Sequence, residues 1–192
     1  MNFIAFERDF WEIKFADEEN FNKSVILEKT LNMVKRVVQI IADEYEKLSD
    51  LTPGDQKLVV AAREASENAY APYSGFCVGA ALLLANGEII KGNNQENADF
   101  TDGLCAERVA LFYAHANFPD IAVVALAVTA KNRNGLIAGP AQPCGSCRQV
   151  LVETESRYKQ PVRLILDGAE KIVIFNDASS LLPFAFRPDQ LG

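Results

Sequence analysis

Two short segments carry the residues best suited to chemistry: Cys105-Ala106-Glu107 and Pro143-Cys144-Gly145-Ser146-Cys147. The first offers a thiolate with a carboxylate two residues on. The second offers two thiolates three residues apart, a spacing that puts both on one face of a helix. Three thiolates at one point form a zinc site with a coordination position open to water, the pattern of a reactive centre rather than a structural one. The only histidine, His115, is ten positions beyond Cys105 in the same helical pattern, roughly 15 Å away at helical rise, and reads as a surface or helix-end residue. Cys77 lies in an apolar run and reads as a small core residue.

Glu107 beside a ligand is placed to move protons between water and a leaving group; the plainer reading is an acid in a helix-capping turn. Three thiolates donate much negative charge, so a compensating cation is expected. Arg108 and Arg148 each directly follow one of the two segments, and their guanidinium groups are expected to hydrogen-bond the thiolate sulfurs. Their alternative is ion pairing on a helix surface.

The elements that must bring these groups together follow from apolar spacing. Thr52-Pro53-Gly54-Asp55 opens a helix predicted to stop near Tyr70, ahead of Pro72. Residues 76–85 read as a central strand, Asn86-Gly87 as a hairpin turn and 88–91 as the returning strand. A polar loop, 92–103, leads to a helix from Leu104 to before Pro119. Residues 121–130 read as a buried parallel strand, and 144–158 as another helix. Strands at 162–166 and 172–175 flank Asp167-Gly168, with a short helix or turn over 179–186. Residues 34–41 also look like a strand. Two strand–helix–strand crossovers predict adjacent parallel strands in an α/β fold, a three-layer α/β/α sandwich with a mixed sheet of about five strands. Its helix starts, at the carboxyl ends of strands, would hold the cysteines.

Residues 1–32 are set apart as an amino-terminal extension, with aromatics scattered among charges, from a domain at 33–192. Met33 admits two readings: a start codon preceded by an artefact, or the end of an extension that packs on a neighbour. The chain has 192 residues, of which 49% are hydrophobic and 23% charged, so a packed core is expected rather than disorder. A net charge of −7 without a basic run argues against a nucleic-acid partner. No apolar run is long enough for a membrane span, and no secretory signal is legible, which points to the reducing cytoplasm.

The motifs together resemble the cytidine deaminase family, of the all-cysteine zinc type. Residues 71–81, Ala-Pro-Tyr-Ser-Gly-Phe-Cys-Val-Gly-Ala-Ala, are similar to the strand entry of that family. Gly92-Asn93-Asn94-Gln95-Glu96-Asn97-Ala98 resembles its Asn/Glu loop, and Leu181-Leu182-Pro183-Phe184-Ala185-Phe186 its terminal motif. Asp99-Phe100 departs from it, where a small residue and Tyr are common. The resemblance, over about residues 35–187, implies one zinc per subunit held by Cys105, Cys144 and Cys147. It also implies hydrolysis of cytidine and deoxycytidine to uridine and deoxyuridine, with zinc-activated water attacking C4 and Glu107 relaying protons. Implied nucleoside contacts are Phe76, Asn94, Glu96, Ala106 and Phe186: Asn94 and Glu96 on the ribose 3′-hydroxyl, Phe76 lining the pocket, Phe186 stacking on the base from a neighbouring subunit. The implied assembly is a homotetramer. Rival readings are another aminohydrolase of this architecture, such as a blasticidin-S deaminase-like enzyme, a non-catalytic zinc-stabilised module, and deamination of bases within nucleic acid.

Overall fold

Asn86 and Gly87 turn the chain back on itself, with Gly87 at φ +90°, a conformation glycine tolerates best. This hairpin joins β2 (Cys77–Leu84) to β3 (Ile89–Asn93) and sets the plan of the sheet. The structure is a computed structural model that describes residues 35–192. Its other strands are β1 (Asp43–Tyr45), β4 (Val123–Asn132), β5 (Gly135–Leu136), β6 (Arg163–Leu166) and β7 (Ile172–Phe175). The order is β1-β7-β6-β4-β2-β3, with β5 paired to β4. The five expected strands are present, joined by the short β1 and β5.

One topological expectation is corrected. Strand β4 pairs with β6 in parallel but with β2 antiparallel. The hairpin puts β3 outside β2, so the crossover leaving β3 must pass over β2 to reach an unoccupied edge. Strands β3 and β4 therefore run the same way without being neighbours. A second correction concerns residues 34–41. Residue 34 lies outside the described residues; 35–41 have no regular structure, and the ladder begins only at Asp43. Val37, Val38, Ile40 and Ile41 are all exposed, so β-branched composition alone did not make a strand there.

Among the described residues, three α-helices cover the sheet: α1 (Pro53–Ser66), α2 (Ala106–Asn117) and α3 (Gly145–Tyr158). Thr52 caps α1 by accepting from the Asp55 amide, and Pro53 occupies its first position. The helix ends at Ser66 rather than near Tyr70, because the Tyr70 backbone is recruited elsewhere: its N–H donates to the Asn94 carbonyl and its carbonyl accepts from Glu96. Alternation along the strands divides the core. Leu58, Val59 and Ala62 of α1 pack with Ala81, Ala125, Ala127 and Ile165 on one face. Ala106, Ala110 and Leu111 of α2 and Leu151 of α3 pack with Ala80, Leu82, Leu126 and Val128 on the other. The three expected layers are present, with α2 and α3 side by side.

The chain divides into two units, Met1–Val38 and Gln39–Gly192. Of the first, only residues 35–38 are described, and the readings made for 1–32 fall outside the described residues.

Candidate metal centre and active site

Each cysteine of the site owes its position to a helix start. Cys105 is the N-cap of α2, Cys144 the N-cap of α3, and Cys147 lies in the first turn of α3. The loop before α3 is pinned by backbone bonds: Ala169 N–H donates to the Ile137 carbonyl, Glu170 N–H to Ala138 and Ala141 N–H to Asp167. This fixes the approach of Pro143 and Cys144. The sulfur atoms meet: Cys105 Sγ is 3.7 Å from Cys144 Sγ, and Cys144 Sγ is 3.5 Å from Cys147 Sγ. All three lie within 4.8 Å of one another. Tetrahedral zinc with bonds of about 2.3 Å needs sulfurs about 3.8 Å apart. The two separations that involve Cys144 are close to that value, so the donor set suits a tetrahedral thiophilic ion.

The electrostatics prepare these thiols for a cation. Hydrogen bonding from Cys147 lowers Cys105 to about 5, with Arg108 and Cys144 adding to the effect against the cost of burial. The counterpart is Cys147, pushed up by its hydrogen bond to Cys105 and by burial. Arg108 donates through Nη2 to Cys105 Sγ at 3.6 Å, as its position in the sequence predicts. The Arg108 Nε is buried with no hydrogen-bond partner among the described residues, leaving a further donor within the cluster.

Arg148 is different. Its Nε donates to the Pro143 carbonyl at 2.9 Å, Nη1 to the Leu181 carbonyl at 3.0 Å and Nη2 to Gln142 Oε1 at 3.5 Å. The expected bond to sulfur is not among them. The side chain leaves α3 toward the carboxyl-terminal segment, so its guanidinium is spent on carbonyl oxygens.

Glu107, in the first turn of α2, is 4% exposed. Burial raises its pKa above the usual carboxylate range, and the negative charge of Cys105 pushes the same way. Cys105, Glu107, Arg108 and Cys144 all line one cavity of about 690 Å³, a size suited to a small molecule.

Phe76, Asn94 and Glu96 line the same cavity. The Asn94 amide is fixed in place: Oδ1 accepts from the Val78 N–H at 2.7 Å and Nδ2 donates to the Phe76 carbonyl at 2.9 Å. The Glu96 carboxylate accepts from the Ser74 hydroxyl and from the Tyr73 and Ser74 amides, and these bonds, the hydroxyl's first, lower its pKa. Ala106 is fully buried and its side chain is not part of the lining. Phe186 is 57% exposed and lies outside the lining; its carbonyl accepts from Gln149 Nε2 at 2.8 Å.

His115 sits in the last turn of α2, half-buried against the Tyr158 ring, with Nε2 3.4 Å from Thr154 Oγ1. Cys77 is half-buried rather than buried, since it is the first residue of β2. Phe100 and Gln142 are among the lining residues to which the sequence assigned no role. Phe100 meets Tyr73 edge to face at 5.7 Å, and Gln142 precedes the second cysteine segment. Their signals were the departure from the family pattern at Asp99-Phe100 and the adjacency of Gln142 to Pro143.

Residues 53–160, more than half of the chain, match the model described as the cytidine and deoxycytidylate deaminase zinc-binding region. The chain is 40% identical over 137 residues to a cytidine deaminase of Halalkalibacterium halodurans, covering 71% of this chain and 97% of that protein. It is 45% identical over 137 residues to one from Sporosarcina psychrophila, covering 71% and 94%. A crystal structure of cytidine deaminase from Burkholderia pseudomallei superposes with a TM-score of 0.58 at 40% identity, covering 68% of this chain and 97% of that one. The matched region contains both cysteine segments, and the fold brings them to one cavity: the chain belongs to the cytidine and deoxycytidylate deaminase family.

Proposed function

We propose that this protein hydrolyses the exocyclic amine of cytidine and deoxycytidine, giving uridine or deoxyuridine and ammonia. The observation that carries the reading is a buried carboxyl of raised pKa, Glu107, sharing a cavity wall with thiols spaced for zinc. Zinc bound there would acidify water and so supply a nucleophile at neutral pH. Cys105, Cys144 and Cys147 would hold it, one ion per subunit, and Arg108 would offset the charge of the thiolates. Glu107 takes a proton on its carboxylate as water attacks C4 and delivers it to the departing nitrogen. Its raised pKa brings it toward the working pH, where a group both accepts and returns a proton efficiently.

Phe76 supplies apolar wall for the nucleoside. Asn94 and Glu96 face the sugar with the lone pairs and proton that their bonds to residues 73–78 leave over. The exposed ring of Phe186, outside its own cavity, supports its reaching the site of a neighbouring subunit, and with it a homotetramer. Four unpaired cysteines support a reducing compartment, the cytoplasm. No helix among the described residues is long and apolar enough to cross a membrane.

The test follows the ultraviolet spectrum of cytidine with purified protein, before and after a chelator removes metal. Turnover that stops with the chelator and returns with zinc supports both reaction and cofactor. Absence of turnover with zinc-replete protein, or turnover only of other amino-substituted heterocycles in a substrate panel, overturns the reading.

A further inference from the structure

Glu155 is a buried acid that the chemistry above leaves unused. It lies eight residues beyond Cys147 on α3 and is 9% exposed, with no ion pair among the described residues. Burying an unpaired carboxylate is unfavourable unless donors surround it. Four do. Oε1 accepts from the Val162 amide at 2.8 Å and the Ala178 amide at 2.7 Å; Oε2 accepts from the Ser179 amide at 3.2 Å and from the Ser179 hydroxyl. Every group that meets this side chain donates, and only a carboxylate presents two purely accepting oxygens.

Ala178 and Ser179 open the carboxyl-terminal arm, which follows the end of β7 at Phe175 and joins no further strand. The same helix grips this arm twice more. Arg148 Nη1 donates to the Leu181 carbonyl and Gln149 Nε2 to the Phe186 carbonyl at 2.8 Å. Helix α3 thus holds the arm at three points from Ala178 to Phe186, while its N-cap and first turn carry Cys144 and Cys147.

We propose that Glu155 is a positioning residue for the deaminase site: by fixing the root of the arm against the metal-ligand helix, it sets where Phe186 stands. The proposal rests on the reading above, in which Phe186 closes over the base. Replacing one carboxylate oxygen with an amide nitrogen leaves one of the two root amides facing a donor in place of its acceptor, and the arm pivots there. Substrate binding then suffers, while the sulfur cluster and Glu107, on other groups, stay in place.

The test compares the zinc-loaded full chain with Glu155→Gln, which sets an amide N–H against existing donors. Ser179→Ala, which removes one donor alone, serves as the milder variant should the first fail to fold. Amide hydrogen exchange is read over residues 178–186, with zinc content and steady-state kinetics on cytidine. Expected for Glu155→Gln are exchange about 10-fold faster in the arm, KM raised about 5-fold or more, and kcat and zinc content within about 2-fold; Ser179→Ala moves exchange and KM the same way by less. Unchanged exchange in the arm overturns the proposal, as does faster exchange with an unaltered KM or with kcat falling in its place. Absence of cytidine turnover in the unsubstituted protein falls on the deaminase reading, and the exchange comparison still decides whether Glu155 anchors the arm.

Discussion

Gly92 of β3 lies so close beneath the start of α2 that a Cβ there would come within 2.6 Å of the Ala106 carbonyl oxygen. The Ala110 amide would be equally near. Backbone against backbone, neither neighbour can turn aside, so the helix itself would have to lift. That helix begins at Cys105 and carries Glu107 in its first turn. Gly92→Ala is therefore expected to cost about 2–3 kcal/mol of stability by overpacking. It should also weaken metal retention. Gly139→Ala, where an added Cβ meets nothing within 4 Å, should stay within about 0.5 kcal/mol. Urea denaturation with zinc analysis of both variants checks the contrast.

The metal-free protein should show a reactive Cys105. Its thiol is lowered to about 5, so it is largely thiolate at neutral pH and is protonated as pH falls through that value. Alkylation by iodoacetamide, followed by mass spectrometry, should mark Cys105 rapidly at about pH 6.5, where an ordinary thiol is mostly protonated. The rate should fall below about pH 5, and zinc should protect. An onset near the ordinary thiol range would show that Arg108 and Cys147 do not stabilise the anion.

Glu107→Gln should abolish proton transfer yet leave the sulfurs intact. Loss of about 10²–10⁴-fold in kcat is expected, with zinc content unchanged. Stability supplies a second readout. A carboxyl whose folded pKa is raised contributes stability that is fully present below the unfolded value and is lost as pH rises through the folded value. The Gln variant lacks this titration. Its melting temperature, measured metal-free, should gain on that of the parent as pH rises from acid toward neutral.

The two arginines should separate. Arg108 touches Cys105 Sγ, so Arg108→Ala should reduce metal affinity about 10–100-fold in chelator competition. Arg148 gives its nitrogens to the carbonyls of Pro143 and Leu181 and to the side-chain oxygen of Gln142. Arg148→Ala should keep metal affinity within about 3-fold while lowering the melting temperature.

That divergence also shows what the amino-acid order can convey. Both arginines follow a cysteine segment, yet one donates to a sulfur, while the other donates to oxygens of the preceding loop and to the carbonyl of Leu181, 33 positions on. Sequence adjacency carries no information about that distant partner. The hairpin at Asn86-Gly87 and the helix starts were legible because turn and cap chemistry is local. Convergence of the thiols was legible because helix starts gather at one edge of such a sheet. The antiparallel seating of β4 against β2 was not, since it depends on which edge the hairpin had left free. Residues 35–41 misled because β-branched composition describes a surface a segment could join, while the ladder is decided by neighbours.

The bonds already made by Asn94 and Glu96 have a thermodynamic corollary. Both side chains are anchored to main-chain groups at residues 73–78, so their rotational freedom is lost on folding, not when a guest arrives. Recognition at this wall should resemble a key entering a rigid lock. Crystals grown with and without nucleoside should overlay there within the scatter of thermal vibration.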